Sequence, residues 1–187
     1  MLLALHKPYG VLSQFTAEVP GQRTLAEFGL PRGVYPVGRL DRDSEGLLLL
    51  TDDMRLRAYL TDPRSRTPKM YWVQVEGRPT EAQLAHWRRG PELWIRKRVV
   101  QSLPARVGLL GQPDVAERAP PIRTRLSVPT AWLWVELTEG KNRQVRRMGA
   151  AVGLPVLRLI RITVGHYRLD GLPVGEWREV CLKPPRS

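Results

Sequence analysis

Five carboxylates fall within sixteen residues, "GRLDRDSEGLLLLTDD", residues 38–53. Asp41-Arg42-Asp43-Ser44-Glu45-Gly46 has the spacing of an opening calcium loop, with Asp52 at the twelfth place. Such a loop needs helices on both sides, yet Pro36 and Gly38 interrupt the upstream segment, and Leu47 to Leu50 fill its seventh to tenth positions. A buried strand cannot wrap around an ion, and Arg39 and Arg42 put positive charge beside the supposed ligands. A second chemistry is a magnesium-dependent nuclease built on Asp41, Asp43 and Glu45, which share a face if extended. The flanking arginines and the absence of a nearby histidine argue against it. A third possibility is that Asp41 only caps a turn and pairs with Arg39 or Arg42. No metal is expected in this stretch.

A second chemical signal is "EGKNRQVRRMGAAVG", residues 139–153. At helical spacing Arg143, Arg146 and Arg147 fall within a ~100° sector, while Val145, Met148 and Val152 lie opposite. No acidic residue of the helix stands four positions from these arginines to neutralise them. Such a face suits phosphate contacts. Lys141 precedes the helix at the end of a strand. His6, His86 and His166 are scattered and read as structural.

Bulk composition points the same way. Thirty Lys and Arg against eighteen Asp and Glu give +12, and 25 of the thirty are arginine, whose planar fork of donors pairs with phosphate. Cys181 is the only cysteine, which excludes an internal disulfide and a multi-cysteine zinc site. It lies in an apolar strand with no adjacent histidine, which argues against a methyltransferase using a thiolate. No apolar run approaches the ~20 residues that span a bilayer, and "MLLALHKPYG" lacks the features of a secretory leader. A cytoplasmic protein with no membrane partner is expected.

The elements that must position these groups are legible in outline. "LLALHKP" reads as a strand closed by Pro8, "TLAEFGL" as a short helical turn, and "GVYPVGRLD" as a short strand running into a loop. "GLLLLT" is too short for a helix and reads as a central strand buried on both faces. Helix "DMRLRAYL" follows, capped by Thr51 or Asp52 and stopped at Asp62-Pro63. "KMYWVQVEG" alternates as a strand, and Thr80 with Gln83 forms a capping box for "EAQLAHWRR". Residues 104–121 read as a loop, and "IRTRLSV" with "AWLWVELTEG" as a hairpin turning at Pro129-Thr130. The basic helix runs from Asn142 to Val152, and "VLRLIRITVG" and "EWREVCL" are closing strands. Few helices scattered among hairpins favour an α+β fold, with a central, mainly antiparallel mixed sheet.

Taken in order, "HKPYGVLSQF", "GRLDRDSEGLLLLTDD", "KMYWVQVEG", "EGKNRQVRRM" and "LIRITVGHYRLDGLPVGEWREV" resemble the pseudouridine synthases of the RsuA/RluB/RluE/RluF family, over nearly the whole chain. "PPIRTRLSVPTAWL" resembles its RluE branch. The resemblance implies a single catalytic domain over 1–187, made of two joined lobes divided near residue 65, with a catalytic cleft and no separate N-terminal RNA-binding domain. It implies that Asp41 is catalytic, that Tyr71 stacks on the target base, and that Lys141 stands near the aspartate. Arg39 would help occupy the space left by an extruded base, with Arg42 beside the target nucleotide and Arg143, Arg146 and Arg147 on phosphates. The implied reaction isomerises uridine in 23S ribosomal RNA, free or in an assembly intermediate, by base flipping and without a cofactor. A monomer is expected. The alternative is a non-catalytic RNA-binding or ribosome-assembly protein on the same scaffold.

Overall fold

The computed structural model describes residues 1–122, 125 and 127–181. Its elements are β1 (Leu2–Lys7), β2 (Tyr35–Pro36), β3 (Glu45–Thr51), α1 (Met54–Thr61), β4 (Lys69–Glu76), α2 (Glu81–Arg89), β5 (Glu92–Ile95), β6 (Arg98–Gln101), β7 (Arg106–Leu110), β8 (Thr130–Leu137), α3 (Gln144–Ala151), β9 (Val156–Val164), β10 (Tyr167–Arg168) and β11 (Trp177–Glu179). Strands dominate and the helices are short, as an α+β chain requires. The chain divides into two compact units: Met1–Thr67 together with the residues from Arg161 on, and Pro68–Ile160.

In the first unit β3 is the organising strand, and all seven of its residues are buried. Alternation sends Leu48 and Leu50 to one face and Leu47 and Leu49 to the other, so a continuous apolar run is required. β1 pairs with it antiparallel from Leu2↔Thr51 to Lys7↔Gly46, and β11 pairs with the other edge of β1. The core joins Leu48 and Leu50 to Leu3, Leu5, Val11, Leu25 and Leu40. Leu25–Phe28 is a single 3-10 turn, in line with the short helical turn expected for "TLAEFGL", and a capping box of Thr24 and Glu27 holds its start.

The second unit places β4 between its neighbours with β8 on one side, in antiparallel register from Lys69↔Leu137 to Glu76↔Thr130. Its core gathers Val73, Val75, Leu84, Trp87, Leu133, Val135, Val145 and Met148. The Thr80–Gln83 capping box holds the start of α2.

Four expectations are corrected. The cap of α1 is Asp53, whose Oδ1 accepts from the Arg55 and Leu56 N–H groups at 2.8 and 3.1 Å; Asp52 instead takes the chain's own ammonium at 2.7 Å. Residues 104–121 contain a strand, because β7 pairs with β8 from Arg106↔Glu136 to Leu110↔Trp132. β8 therefore finds its partners in β4 and β7. "IRTRLSV" contributes no strand among the described residues, and Arg123, Thr124 and Leu126 lie outside them. Finally, α3 begins at Gln144, and Arg143 sits before it in left-handed backbone at φ 50°. The 3.6-residue period therefore does not carry Arg143 onto the same face as Arg146 and Arg147.

Candidate active site

Asp41 lies between β2 and β3, in a segment clamped by residues 10–14. The Ser13 hydroxyl donates to the Leu40 carbonyl at 2.7 Å and accepts from the Leu40 N–H at 3.1 Å. The Gly10 N–H donates to the Arg42 carbonyl at 2.8 Å, and Arg42 Nε returns to the Gly10 carbonyl at 3.2 Å. Arg39 Nη2 reaches Gln14 Oε1 at 3.2 Å. The backbone is thus fixed immediately before and after the aspartate. Its own carbonyl accepts from the Ser44 N–H at 3.0 Å, which closes a turn. Leu40 packs into the core while Arg42 is exposed, leaving Asp41 half-buried at the transition. A carboxylate placed in this way has a fixed backbone and is only partly withdrawn from solvent.

The same unit buries Lys7, Glu45 and Arg161. The Lys7 ammonium donates to the Pro8 carbonyl at 2.9 Å and the Val11 carbonyl at 2.8 Å, which fixes the start of the clamping segment. Arg161 Nε donates to the Leu47 carbonyl at 2.8 Å, and its Nη2 is buried without a hydrogen-bond partner among the described residues. Burial pushes the Lys7 ammonium down to about 7; Glu45 and Asp43 oppose the shift, Arg161 adds to it, and Asp41 opposes it. Lys7 thus feels the charge of Asp41 within one unit, a role the sequence reading did not assign. Its signal was present in "HKPYG".

This shift has a measurable consequence. The unfolded chain holds the Lys7 proton up to its ordinary value of 10.5, whereas the folded chain releases it near 7. Between those limits the unfolded state binds more protons, so this group's contribution makes stability rise with pH, by at most ~1.4 kcal/mol per unit. Urea unfolding of wild type and Lys7→Met from pH 7 to 9.5 is expected to give a more positive slope for wild type. Parallel slopes would refute the assignment.

A groove of about 630 Å³ opens in the first unit, lined by Gln14, Phe15, Tyr35, Arg39, Met54 and Arg57 among others. Arg57 Nε donates to the Pro36 carbonyl at 3.1 Å, and its guanidinium stands 5.9 Å from the centroid of the Tyr35 ring. Arg39 therefore lines a cavity of mixed cationic and aromatic character. Asp41 is not among the lining residues.

The other expected site residues belong to the second unit. Tyr71 on β4 is 9% exposed and packs with Val73 and Val75 on the core face, whereas Trp72 points to the opposite face. Lys141 donates its ammonium to Glu139 Oε2, a partner the sequence reading did not name. The other oxygen, Glu139 Oε1, accepts from the Leu103 N–H at 2.8 Å and from Gln144 Nε2. Burial pushes the Glu139 carboxyl upward, but Lys141, the Leu103 N–H and Gln144 outweigh it and hold the group below its ordinary value. The Lys141 N–H donates to Gln144 Oε1 at 2.8 Å, so Gln144 ties the lysine to the first turn of α3.

The arginines of α3 are also anchored. Arg146 Nη1 donates to the Val156 carbonyl at 3.1 Å. Arg147 Nη1 donates to the Trp94 carbonyl at 2.5 Å, and its Nη2 to Asn142 Oδ1 at 3.2 Å. Arg143 is exposed in the turn before the helix. The three do not form the single unanchored row that helical spacing suggests. Among the described residues no cluster of His, Cys, Asp and Glu could hold a metal ion. Glu45, which the nuclease arrangement needs, is buried in β3.

Residues 1–151 match the family model for RNA pseudouridylate synthase. A ribosomal large subunit pseudouridine synthase E of Xanthomonas axonopodis pv. citri is 56% identical over 174 residues, covering 92% of this chain and 90% of the relative. Its counterpart in Vibrio vulnificus is 51% identical over 181 residues, covering 97% and 75%. These relatives agree with the RluE-branch resemblance of "PPIRTRLSVPTAWL". A crystal structure of a pseudouridylate synthase superposes with a TM-score of 0.78 at 27% identity, covering 96% of this chain and 70% of that one. The motifs, the fold and these relatives agree, and the chain belongs to the RNA pseudouridylate synthase family.

Proposed function

We propose that the protein isomerises one specific uridine of 23S ribosomal RNA to pseudouridine, with Asp41 as the catalytic residue. The observation that supports this reading is the backbone clamp on both sides of Asp41, whose carboxylate is half-buried. The substrate class follows the names of the relatives.

The reaction breaks the bond from uracil N1 to ribose C1′, turns the base, and forms the bond from C5 to C1′. The C5 proton leaves and N1 gains one, so composition is unchanged and no oxidant or group donor is consumed. One carboxylate suffices, either as a nucleophile at the ribose or as a base towards it. In this reading Tyr71 offers its ring to the detached uracil, and Lys141 supplies positive charge near the reacting carboxylate. Arg39 and Arg42 hold the target nucleotide, while Arg143, Arg146 and Arg147 contact phosphates. The base must leave its stack to be reached. The protein works in the cytoplasm as a monomer, on free RNA or an assembly intermediate.

The test is tritium release from 23S RNA labelled at uridine C5, with the product mapped for pseudouridine. Wild type is expected to release label in proportion to a single modified site. Tight RNA binding with no release would favour the non-catalytic RNA-binding alternative. RNA cleavage abolished by a chelator would favour the nuclease.

A further inference from the structure

β5 and β6 form a two-stranded hairpin, paired from Glu92↔Gln101 to Ile95↔Arg98, to which the sequence reading assigns nothing. Alternation puts Leu93 on the core face, where it is buried, and Trp94 on the outer face opposite Val99. Trp94 is 62% exposed and Val99 58%. Two adjacent large apolar side chains are thus left in water on a chain of charge +12.

The tip of the hairpin is stranger still. Arg96 and Lys97 form the two-residue turn, with φ of 49° and 63°. A turn with both central residues at positive φ is the type that favours Asn-Gly, because a side chain with a Cβ is strained there. Two long cations occupy it instead, followed at once by Arg98. Local strain kept at a position where relief is chemically easy points to use rather than to folding. The hairpin is also joined to α3, since Arg147 donates to the Trp94 carbonyl. Three exposed cations, an exposed tryptophan and a hydrogen bond from the basic helix are thus brought together in one short hairpin.

We propose that this hairpin is a second RNA-contact element: Trp94 stacks on an unpaired base of the substrate RNA while Arg96, Lys97 and Arg98 engage its phosphates. Aromatic rings accept any base by its face, and the adjacent cations supply the sequence-independent attraction. The inference rests on the ribosomal-RNA reading above but does not involve Asp41. Charge complementarity favours RNA over a second copy of this chain, which would bring like charges together.

Two variants test it by equilibrium binding to a 23S RNA transcript over a range of salt. Trp94→Ala is expected to weaken affinity about five- to hundredfold. Arg96→Asn with Lys97→Gly places the favoured pair in the turn, so it is expected to raise the melting temperature while weakening affinity. It also lowers the slope of log affinity against log salt by roughly 1.4, for two lost phosphate contacts on a single strand. A merely structural hairpin would not pair higher stability with lost binding. Unchanged affinity and salt slope in both variants would overturn the proposal, as would self-association abolished by Trp94→Ala with RNA binding intact. Binding is read separately from tritium release. Wild type that binds but does not turn over refutes the proposed function alone; turnover with unaltered binding in the variants refutes the hairpin alone.

Discussion

Asp41→Asn is expected to cut tritium release from C5-labelled 23S RNA by about 10³-fold or more, with RNA affinity and melting temperature close to wild type. Asparagine keeps the size of the side chain, and every bond of the clamp is made by neighbouring groups or by backbone. Ser13 still holds Leu40, Gly10 still holds Arg42, and Ser44 still donates to the carbonyl of residue 41. What disappears is the negative charge and the ability to attack or accept a proton. The charge has a further readout, because Asp41 is one of the groups that hold the Lys7 ammonium charged against burial. In the variant the midpoint of the Lys7 titration therefore moves lower. Retained turnover would remove Asp41 from the chemistry.

Gly46→Ala is expected to be the most damaging small substitution in the first unit. Gly46 has φ +102°, and a Cβ there would lie 2.3 Å from the Arg161 carbonyl oxygen and 2.6 Å from its nitrogen. Both obstacles are backbone of β9, which cannot rotate aside as a side chain could. Strain and overpacking each cost roughly 1–3 kcal/mol, so a loss of about 4 kcal/mol is expected, a large part of a typical domain's stability. At this chain length that lowers the melting temperature by roughly 8–16 °C. Gly33→Ala separates the two causes, because Gly33 has φ +83° with nothing within 4 Å of the added Cβ. It should show the strain alone. Equal losses in the two variants would mean that the contact with Arg161 contributes nothing.

Gly46 also illustrates what was readable in advance. Its neighbours "LLLL" announce a doubly buried strand from composition alone, and β3 is that strand. The close approach of β9 depends on residues more than a hundred positions away, and no local pattern encodes it. β7 was hidden for a related reason. "RVGLL" is short, contains a glycine and lies near Pro104, Gly111 and Pro113, so it reads as loop until β8 supplies the hydrogen bonds. The hairpin of β5 and β6 lacked the Asn-Gly turn by which such hairpins are recognised. In α3 the expected helix is shortened at its start, because Arg143 adopts left-handed backbone that breaks the helical period.

For the candidate site, motif order was enough to identify the family, and the resemblance nominates Asp41, Tyr71 and Lys141 as its candidate residues. Motifs carry that information because the chemistry demands particular side chains in a particular succession. The residues around them were decided only by folding. Ser13, Gly10 and Gln14 lie about thirty positions from the segment they clamp, Lys7 becomes a buried cation only when β1 pairs with β3, and Glu139 claims Lys141 through a carboxylate that also binds Leu103 N–H. Local sequence determines which groups are available and which strands and helices carry them. Burial, long-range hydrogen bonds and shifted protonation arise from contacts between distant segments, so they exist only in the assembled structure.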